Sequence, residues 1–424
     1  MRHAYRLSQS LSLLCRPLNA AGLTLTGLLS LSSVAIAQTT LPAPATRAEE
    51  AAAARRGATV TAAEAAIPRI DQIFNWLEES RVATRLFDPP EGWFATVGGM
   101  AEGNGFTAGG GYRAQLGSGT VSARAVGSFR RSYLVDLTWR QPLAASGRVF
   151  VDANVGRRNE AQLRYSGLGP DPVLENSETF ALAATLVDGG VGVRLTPRAT
   201  LTAGVTALMP DVNLELPDTD DSGFGDFFSE ITAPGLTSQP SFLITRAGLL
   251  FDRRDAPNAR AGGLYAVDVR HFADRDTGAP SVTASRVEAQ QFLPFWNRTR
   301  VLALRVVAEQ LHATDDGVVP FYLRPTIGGS RSLRGFERQR FRDNGVLLMQ
   351  AEYRYEVNAF VMGAVFADAG QAAPSLRRMQ WRDLRTDYGV GIRIGYATGV
   401  ALRTDLAFGG DRTARLTITF SGVF

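Results

Sequence analysis

Strict alternation of apolar and polar residues over stretches of about 9–12 residues constrains the fold more than any other feature of the sequence. In residues 346–357, VLLMQAEYRYEV, one face carries only apolar side chains and the other face carries the charges. Residues 387–396 and 415–424 repeat this pattern. A period of two places successive side chains on opposite faces of a β-strand, so these stretches predict strands.

The length of these strands separates two classes of β protein that alternation alone does not. Strands of globular proteins average roughly five or six residues, whereas tilted strands that cross a hydrocarbon slab need roughly 9–11. Aromatic residues also gather at the strand ends, as in the interfacial girdles of membrane barrels. Since a membrane forbids open sheet edges, the pattern predicts an all-β, antiparallel, transmembrane β-barrel.

We count about sixteen candidate strands, and an even number is typical of single-chain bacterial barrels. Their predicted bounds are 93–100, 105–115, 119–128, 131–141, 147–165, 178–195, 199–208, 241–252, 262–272, 281–292, 299–310, 345–357, 360–368, 386–396, 400–408 and 413–424. If the first strand starts in the periplasm, the long connections lie on the outer side: 166–177, 209–240, 311–344 and 369–385. Short inner turns with long outer loops are typical of such barrels.

Residues 1–37 have the layout of a cleavable secretory signal peptide. Basic residues without acids precede an apolar run at 20–34, and small residues just before position 38 offer a cleavage site. Residues 38–90 predict a disordered lead and, over 61–80, a short amphipathic helix that packs on the barrel or acts as a mobile plug. We expect the barrel over 91–424, in the bacterial outer membrane.

Composition argues against several classes of function. The single cysteine, Cys15, lies in the predicted signal peptide, and the rest of the chain has two histidines, His271 and His312. Neither lies in a nucleophile motif, so we expect no enzyme, no metal and no cofactor, with an outer-membrane lipid hydrolase as a remote alternative. Loss of the three signal-peptide arginines lowers the formal charge from +4 to +1, which leaves no polybasic case for nucleic acid.

A motif in the 311–344 connection links the chain to a known family. Residues 332–341, SLRGFERQRF, are followed by VFADAG at 365–370. Together they resemble the BamA/TamA superfamily of outer-membrane barrels, also called the bacterial surface antigen family. In that family the sixth outer loop folds back into the lumen, and an Arg-Gly-Phe/Tyr tip docks on the inner wall. The resemblance implies that this tip consists of Arg334, Gly335 and Phe336.

Two acids on the barrel wall are expected to receive Arg334. Glu352 falls on the lumen face of its strand by parity, and Asp368 ends the next predicted strand. An arginine delivered by the loop could form charge-assisted hydrogen bonds with both. Gly335 would allow a tight turn against the wall, and Phe336 would add an apolar anchor. The other loop charges, at 337, 338, 340 and 342, are expected to be hydrated and to face the lumen.

Further family elements have partial matches. A Phe-x-Asp-x-Gly element falls on the thirteenth predicted strand, and the turn DRRD resembles an Asp-x-Arg-Asp element that precedes Pro-x-x-Gly, although Arg260 stands where the family has proline. The C-terminal LTITFSGVF resembles the terminal strand that the barrel-assembly machinery recognises. The residues that carry these matches are Phe366, Gly370, Asp252, Arg254, Asp255, Gly263, Phe420 and Phe424.

The resemblance implies a pore for protein insertion or translocation, with the 311–344 loop as plug or lock and the first and last strands as a lateral gate. Family members with that activity carry POTRA domains ahead of the barrel, and the segment between Ala37 and Glu91 is too short for one. A structural or partner-dependent anchor barrel without translocase activity is therefore the alternative. The implied partners are outer-membrane lipid, the barrel-assembly machinery and a periplasmic or secreted protein; monomer and dimer both stay open.

Overall fold

The computed structural model describes residues 89–420 with short gaps. The gaps are 99, 144–145, 215–226, 279, 297–298, 315–316, 359 and 397–398, and the side chains of 396–401 are also outside the description. The predicted signal peptide, almost all of the 38–90 segment and Phe424 lie outside the described residues.

Sixteen strands form one antiparallel sheet in which every strand pairs with its neighbours in the sequence. They are β1 Gly92–Val97, β2 Thr107–Leu116, β3 Gly119–Ser128, β4 Tyr133–Pro142, β5 Val149–Tyr165, β6 Glu178–Arg194, β7 Ala199–Asn213, β8 Phe242–Asp252, β9 Gly262–Asp274, β10 Val282–Phe295, β11 Arg300–Ala313, β14 Gly345–Glu356, β15 Val361–Ala373, β16 Arg385–Tyr396, β17 Gly399–Phe408 and β18 Arg415–Thr419. Two short strands, β12 Thr326–Ile327 and β13 Phe341–Arg342, pair separately. The prediction of sixteen antiparallel strands is confirmed.

Helical structure is limited to three single turns of 3-10 helix: Phe321–Leu323, Leu376–Arg378 and Trp381–Asp383. In the part of the chain that the structure describes, no helix is long and apolar enough to cross a membrane.

The burial of the two strand faces is the reverse of that in a soluble β protein. On β14 the polar side chains of Gln350, Glu352 and Arg354 are buried, whereas the apolar Tyr355 of the opposite face is exposed. On β16, Ile392 is 52% exposed while the neighbouring Arg393 is 1% exposed. A wall with charges inside and hydrocarbon outside suits a lipid environment, so burial decides what alternation alone left open.

The sheet wraps around residues 314–344, the connection between β11 and β14, which we call the lumen loop. Arg342 of this loop donates to the carbonyl oxygen of Arg164 on β5 at 3.1 Å, and Arg334 reaches Asp368 on β15. One loop can contact such distant strands of a single sheet only if the sheet curls around it. The sheet therefore forms a barrel, as predicted, with the lumen loop inside.

The two ends of the sheet meet at a sparse boundary, which we call the seam. Among the described residues no backbone pairing joins β1 to β18, although the rings of Phe106 and Phe420 are in edge-to-face contact with centroids 5.8 Å apart. Both bordering strands are short, with six residues in β1 and five in β18.

The outer end of the barrel contains an apolar cluster of its own. Side chains from the upper halves of β5 to β11 pack on the loop segments around Phe228 and Phe321. The ring of Phe321 lies edge-on to Tyr165 and to Phe180, with centroids 5.0 Å apart in both pairs. This packing fixes the start of the lumen loop before the chain turns down into the barrel.

Candidate functional site

Arg334 is fully buried and makes three charged hydrogen bonds to the barrel wall. Its Nε and Nη2 donate to the two carboxylate oxygens of Asp368 at 2.6 and 2.8 Å, and its Nη1 donates to Glu352 at 2.6 Å. The guanidinium carbon also lies 3.4 Å from the ring centroid of Phe366. The structure thus brings together the loop arginine and both predicted acids, in a bidentate geometry that a lysine could not reproduce.

The electrostatic environment of Arg334 favours its charged form. Burial by itself would lower the pKa of Arg334, but the hydrogen bonds and negative charges of Asp368 and Glu352 outweigh it and raise the pKa above the ordinary arginine value. The guanidinium is therefore a permanent cation at this position.

Glu352 is shared among three arginines. Besides Arg334, it accepts from Arg354 at 2.9 Å and from Arg393 at 2.7 Å. Arg393 also donates to Asp405 on β17 at 2.6 Å, so one guanidinium joins acids from β14 and β17. The ion pairs thus extend from the centre of the wall toward the last strands of the barrel.

The buried charges around Arg334 balance in number, and we call this set the Arg334 cluster. It consists of Arg334, Arg354, Arg393 and Arg403 with Glu352, Asp368, Asp387 and Asp405. Each member is at most 7% exposed. Charges this deeply buried are tolerated in proteins when opposite charges and hydrogen bonds compensate for lost hydration.

Glycines allow the lumen loop to lie close to the wall at two predicted positions. A Cβ atom on Gly335 would lie 2.8 Å from Cβ of Asp387 and 3.1 Å from the backbone nitrogen of Gly410. A Cβ atom on Gly370 would lie 2.8 Å from the carbonyl oxygen of Leu347 and 3.0 Å from the loop residue Ile327. Both contacts are too close for a larger residue unless the backbone moves, so the glycines serve the approach of loop and wall.

Phe336 belongs to a small apolar cluster between loop and wall. The cluster includes Leu333 and Phe341 of the loop and Leu348 of β14. The rings of Phe336 and Phe341 meet edge to face with centroids 5.2 Å apart. The apolar contacts flank the Arg334 cluster and keep water from its loop side.

The expectation of hydrated loop charges is wrong for two arginines. Arg340 is 6% exposed and donates to Asp411 at 3.0 Å; Arg342 is 4% exposed and donates to the carbonyl oxygens of Phe321 and Arg164. Burial lowers the pKa of Arg342 to about 10. The strand pattern could not foresee this because it says nothing about how a loop packs.

The structure corrects a second detail, the position of Asp368. β15 continues to Ala373, so Asp368 lies inside its strand and not at its end. The polar alternation ends near Asp368, but the following small residues, AGQAA, still pair with β14.

The other predicted motif residues lie apart from the Arg334 cluster. At the inner end of the barrel, Arg254 forms a bidentate pair with Asp252, at 2.9 and 2.8 Å, and Asp255 accepts from the backbone of Arg260 at 2.9 Å. Gly263 follows on β9. Arg260, which replaces the proline of the family element, pairs with both carboxylate oxygens of Glu356 at 2.9 and 3.2 Å. Phe420 lies at the seam.

Sequence reasoning missed several residues of the site. Strand parity places Arg393 on a polar face, but neither parity nor motif indicates that it bridges Glu352 and Asp405. The contacts of Ser330 and Asp411 with neighbouring elements had no sequence signal, because each depends on how loops pack inside the barrel. In the described ranges, His, Cys, Asp and Glu residues form no group of three that could hold a metal ion.

Comparison with known proteins identifies the barrel. Residues 109–424 match the family model described as the Omp85 superfamily domain. Among solved structures, one similar chain is BamA from Haemophilus ducreyi lacking POTRA domains 1–3, with a TM-score of 0.56 and 12% identity over 76% of this chain and 65% of that chain. Another is CdiB from Acinetobacter baumannii, with a TM-score of 0.46 and 11% identity over 76% of this chain and 58% of that chain.

The present chain spans less than two thirds of either solved structure. No curated protein sequence matches it.

Proposed function

Because this chain belongs to the Omp85 superfamily, we propose that it is an outer-membrane barrel of the protein insertion or secretion type, with the lumen loop as its plug. The Arg334 cluster supports this proposal most strongly. It attaches a long outer loop to the inside of the barrel through buried ion pairs, where a passage would otherwise lie.

The proposal assigns each part of the site a role. Arg334, Glu352 and Asp368 hold the plug, Gly335 and Phe336 fit it to the wall, and the seam is the place where a protein segment could enter or leave the membrane. A barrel with a polar interior and a short seam has the physical means for both. The client would be a periplasmic or secreted polypeptide, with lipid around the wall and the barrel-assembly machinery as the partner during biogenesis.

The alternative is an anchor barrel whose lumen loop is a permanent core. The closeness of the packing favours it: Arg334, Glu352 and Asp368 are as buried as the interior of a soluble domain, and breaking such pairs is costly. In this case the loop would stay in place in every state of the protein.

Conductance in planar lipid bilayers separates the two functions. We expect Arg334→Ala to raise the frequency of large openings, because the plug loses its three charged hydrogen bonds to the wall. Arg286→Ala is the matched control, since Arg286 is a wall arginine that pairs with Glu288 and Glu309. Traces of Arg334→Ala that match those of the wild type would favour the anchor barrel.

A further inference from the structure

Ser330 of the lumen loop contacts elements on both sides of the seam. Its backbone N–H donates to Glu102 at 2.8 Å and its hydroxyl donates to the same carboxylate; Glu102 lies in the turn between β1 and β2. Its carbonyl oxygen accepts from Arg403 on β17. Ser330 is 1% exposed, so these bonds are shielded from water. A single serine therefore connects the first hairpin to the next-to-last strand.

The loop residues after Ser330 attach to the last hairpin. Asp411, in the turn between β17 and β18, accepts from the backbone N–H of Glu337 at 2.8 Å and from Arg340 at 3.0 Å. Arg415 on β18 donates to the carbonyl oxygen of Phe336. Loop residues 330–340 are thus bonded to both hairpins that border the seam.

The first turn is itself held in place, which makes Glu102 a firm point of attachment. Asn104 is fully buried and accepts from the hydroxyl of Ser132 at 2.6 Å, and the backbone N–H of Ala101 donates to Glu160 on β5 at 3.1 Å. A pull on Glu102 is therefore transmitted to the β1–β2 hairpin and the adjoining wall.

We propose that Glu102 and Ser330 are positioning residues that hold the seam shut, as a clamp separate from the contacts of Arg334 with β14 and β15. Few backbone bonds are available at the seam, because β1 and β18 are short. Side-chain bonds that cross it through the loop then carry much of its stability. The clamp regulates the pore proposed above, and in that respect it rests on the proposed function.

The position of the clamp suggests how a client could act on it. Glu102 is bonded to one loop serine, whereas Asp411 and Arg403 take part in wider ion-pair networks. Removal of the Glu102 contact frees the first hairpin and leaves the plug attached to β14, β15 and β17. The seam can therefore open without expulsion of the plug.

A cysteine pair across the seam tests the clamp. Phe106→Cys with Phe420→Cys, in a Cys15→Ser background, reports closure through the rate of disulfide formation, because the two rings touch in the closed barrel. Full-length protein refolded in detergent micelles is used, so that cellular assembly does not depend on Phe420. Folding of each variant is verified by its heat-modifiable migration on a gel.

We expect Glu102→Ala to slow this disulfide formation about tenfold, since the carboxylate loses two hydrogen bonds. Ser330→Ala, which keeps the backbone donor, is expected to slow it about threefold. Glu230→Ala is the matched control: Glu230 also accepts backbone N–H bonds, from Gly235 and Thr237, but entirely within the β7–β8 loop. If Glu102→Ala fails to fold, Glu102→Gln provides the same comparison with an expected decrease of about threefold.

Rates for the Glu102 variant equal to those of the parent, or an equal decrease in Glu230→Ala, would overturn the clamp. Since no client protein is present, this result is independent of the proposed function. A clamp that responds in a barrel whose conductance ignores Arg334→Ala would leave the clamp standing and remove the plug. A conductance response without a disulfide response would do the opposite.

Discussion

Asp368 and Asp387 face each other on β15 and β16, but they differ in their partners. Asp368 accepts from Arg334 and Gln350, whereas neither carboxylate oxygen of Asp387 has a hydrogen-bond partner among the described residues. Asp387 is 2% exposed. A buried carboxylate beside a second carboxylate is unfavourable because like charges repel and hydration is lost. Two aspartates in the same site therefore have opposite expected effects on stability.

We expect Asp368→Asn to lower the free energy of unfolding by about 3–5 kcal/mol, because it breaks a buried, bidentate ion pair and leaves Arg334 short of a partner. Asp387→Asn removes a charge without removing a hydrogen bond, so it should leave stability unchanged or increase it. Urea unfolding in lipid vesicles, followed by tryptophan fluorescence, measures both. An equal loss in the two variants would mean that Asp387 has a role in the cluster that its contacts do not indicate.

The motif identified part of this site from the sequence, and its limits have a physical cause. Arg334, Glu352 and Asp368 could be predicted because a family motif and strand parity indicate the same interior. The bridge formed by Arg393 and the unpaired state of Asp387 depend on which lumen-facing side chains lie at equal heights in a tilted, staggered barrel. One sequence shows the face of each residue, not its height relative to other strands.

At the scale of strands, the pattern was more informative, because every β-strand has the same period. Neighbouring residues on β5 illustrate this: Val155 is 45% exposed on the lipid side, and Asn154 points to the lumen, opposite Asp188 of β6. Strand existence and facing could thus be predicted throughout, whereas strand ends could not. β7 and β11 each extend beyond the predicted end, to Asn213 and Ala313, because loop packing lets the pairing continue.

These two positions provide a matched test of strand orientation. Val155→Arg places a charge in hydrocarbon and should cost about 2–4 kcal/mol of stability, as for arginine near the middle of a bilayer. Asn154→Arg places the same side chain beside acids in the polar lumen, and we expect a much smaller cost. The difference in unfolding free energy in lipid vesicles is the readout. Equal costs would contradict the assignment of the two faces.

For the whole molecule, the barrel and its loop form one enclosed unit with distinct accessible ends. Exposed arginines lie on the outer loops, with Arg382 78% and Arg412 72% exposed in their side chains. Arg198, in the turn between β6 and β7, is exposed at the other end. Arg334 and Arg340, inside the barrel, are buried. A protease that cleaves after arginine should therefore distinguish outside, inside and periplasmic sites in one experiment.

We expect trypsin added to intact cells to cleave after Arg382 and Arg412, and to spare Arg198 and the arginines of the lumen loop, because only the outer loops are accessible. In Arg334→Ala, release of the plug should expose the loop and add cleavage after Arg338 or Arg340. Mass spectrometry of the fragments identifies each site, with Arg286→Ala as the control that alters a wall arginine. Cleavage after Arg198 in intact cells would invert the orientation of the barrel. A wild-type lumen loop cut as fast as Arg382 would mean that the plug is open at rest, since buried backbone must leave the barrel before a protease can bind it.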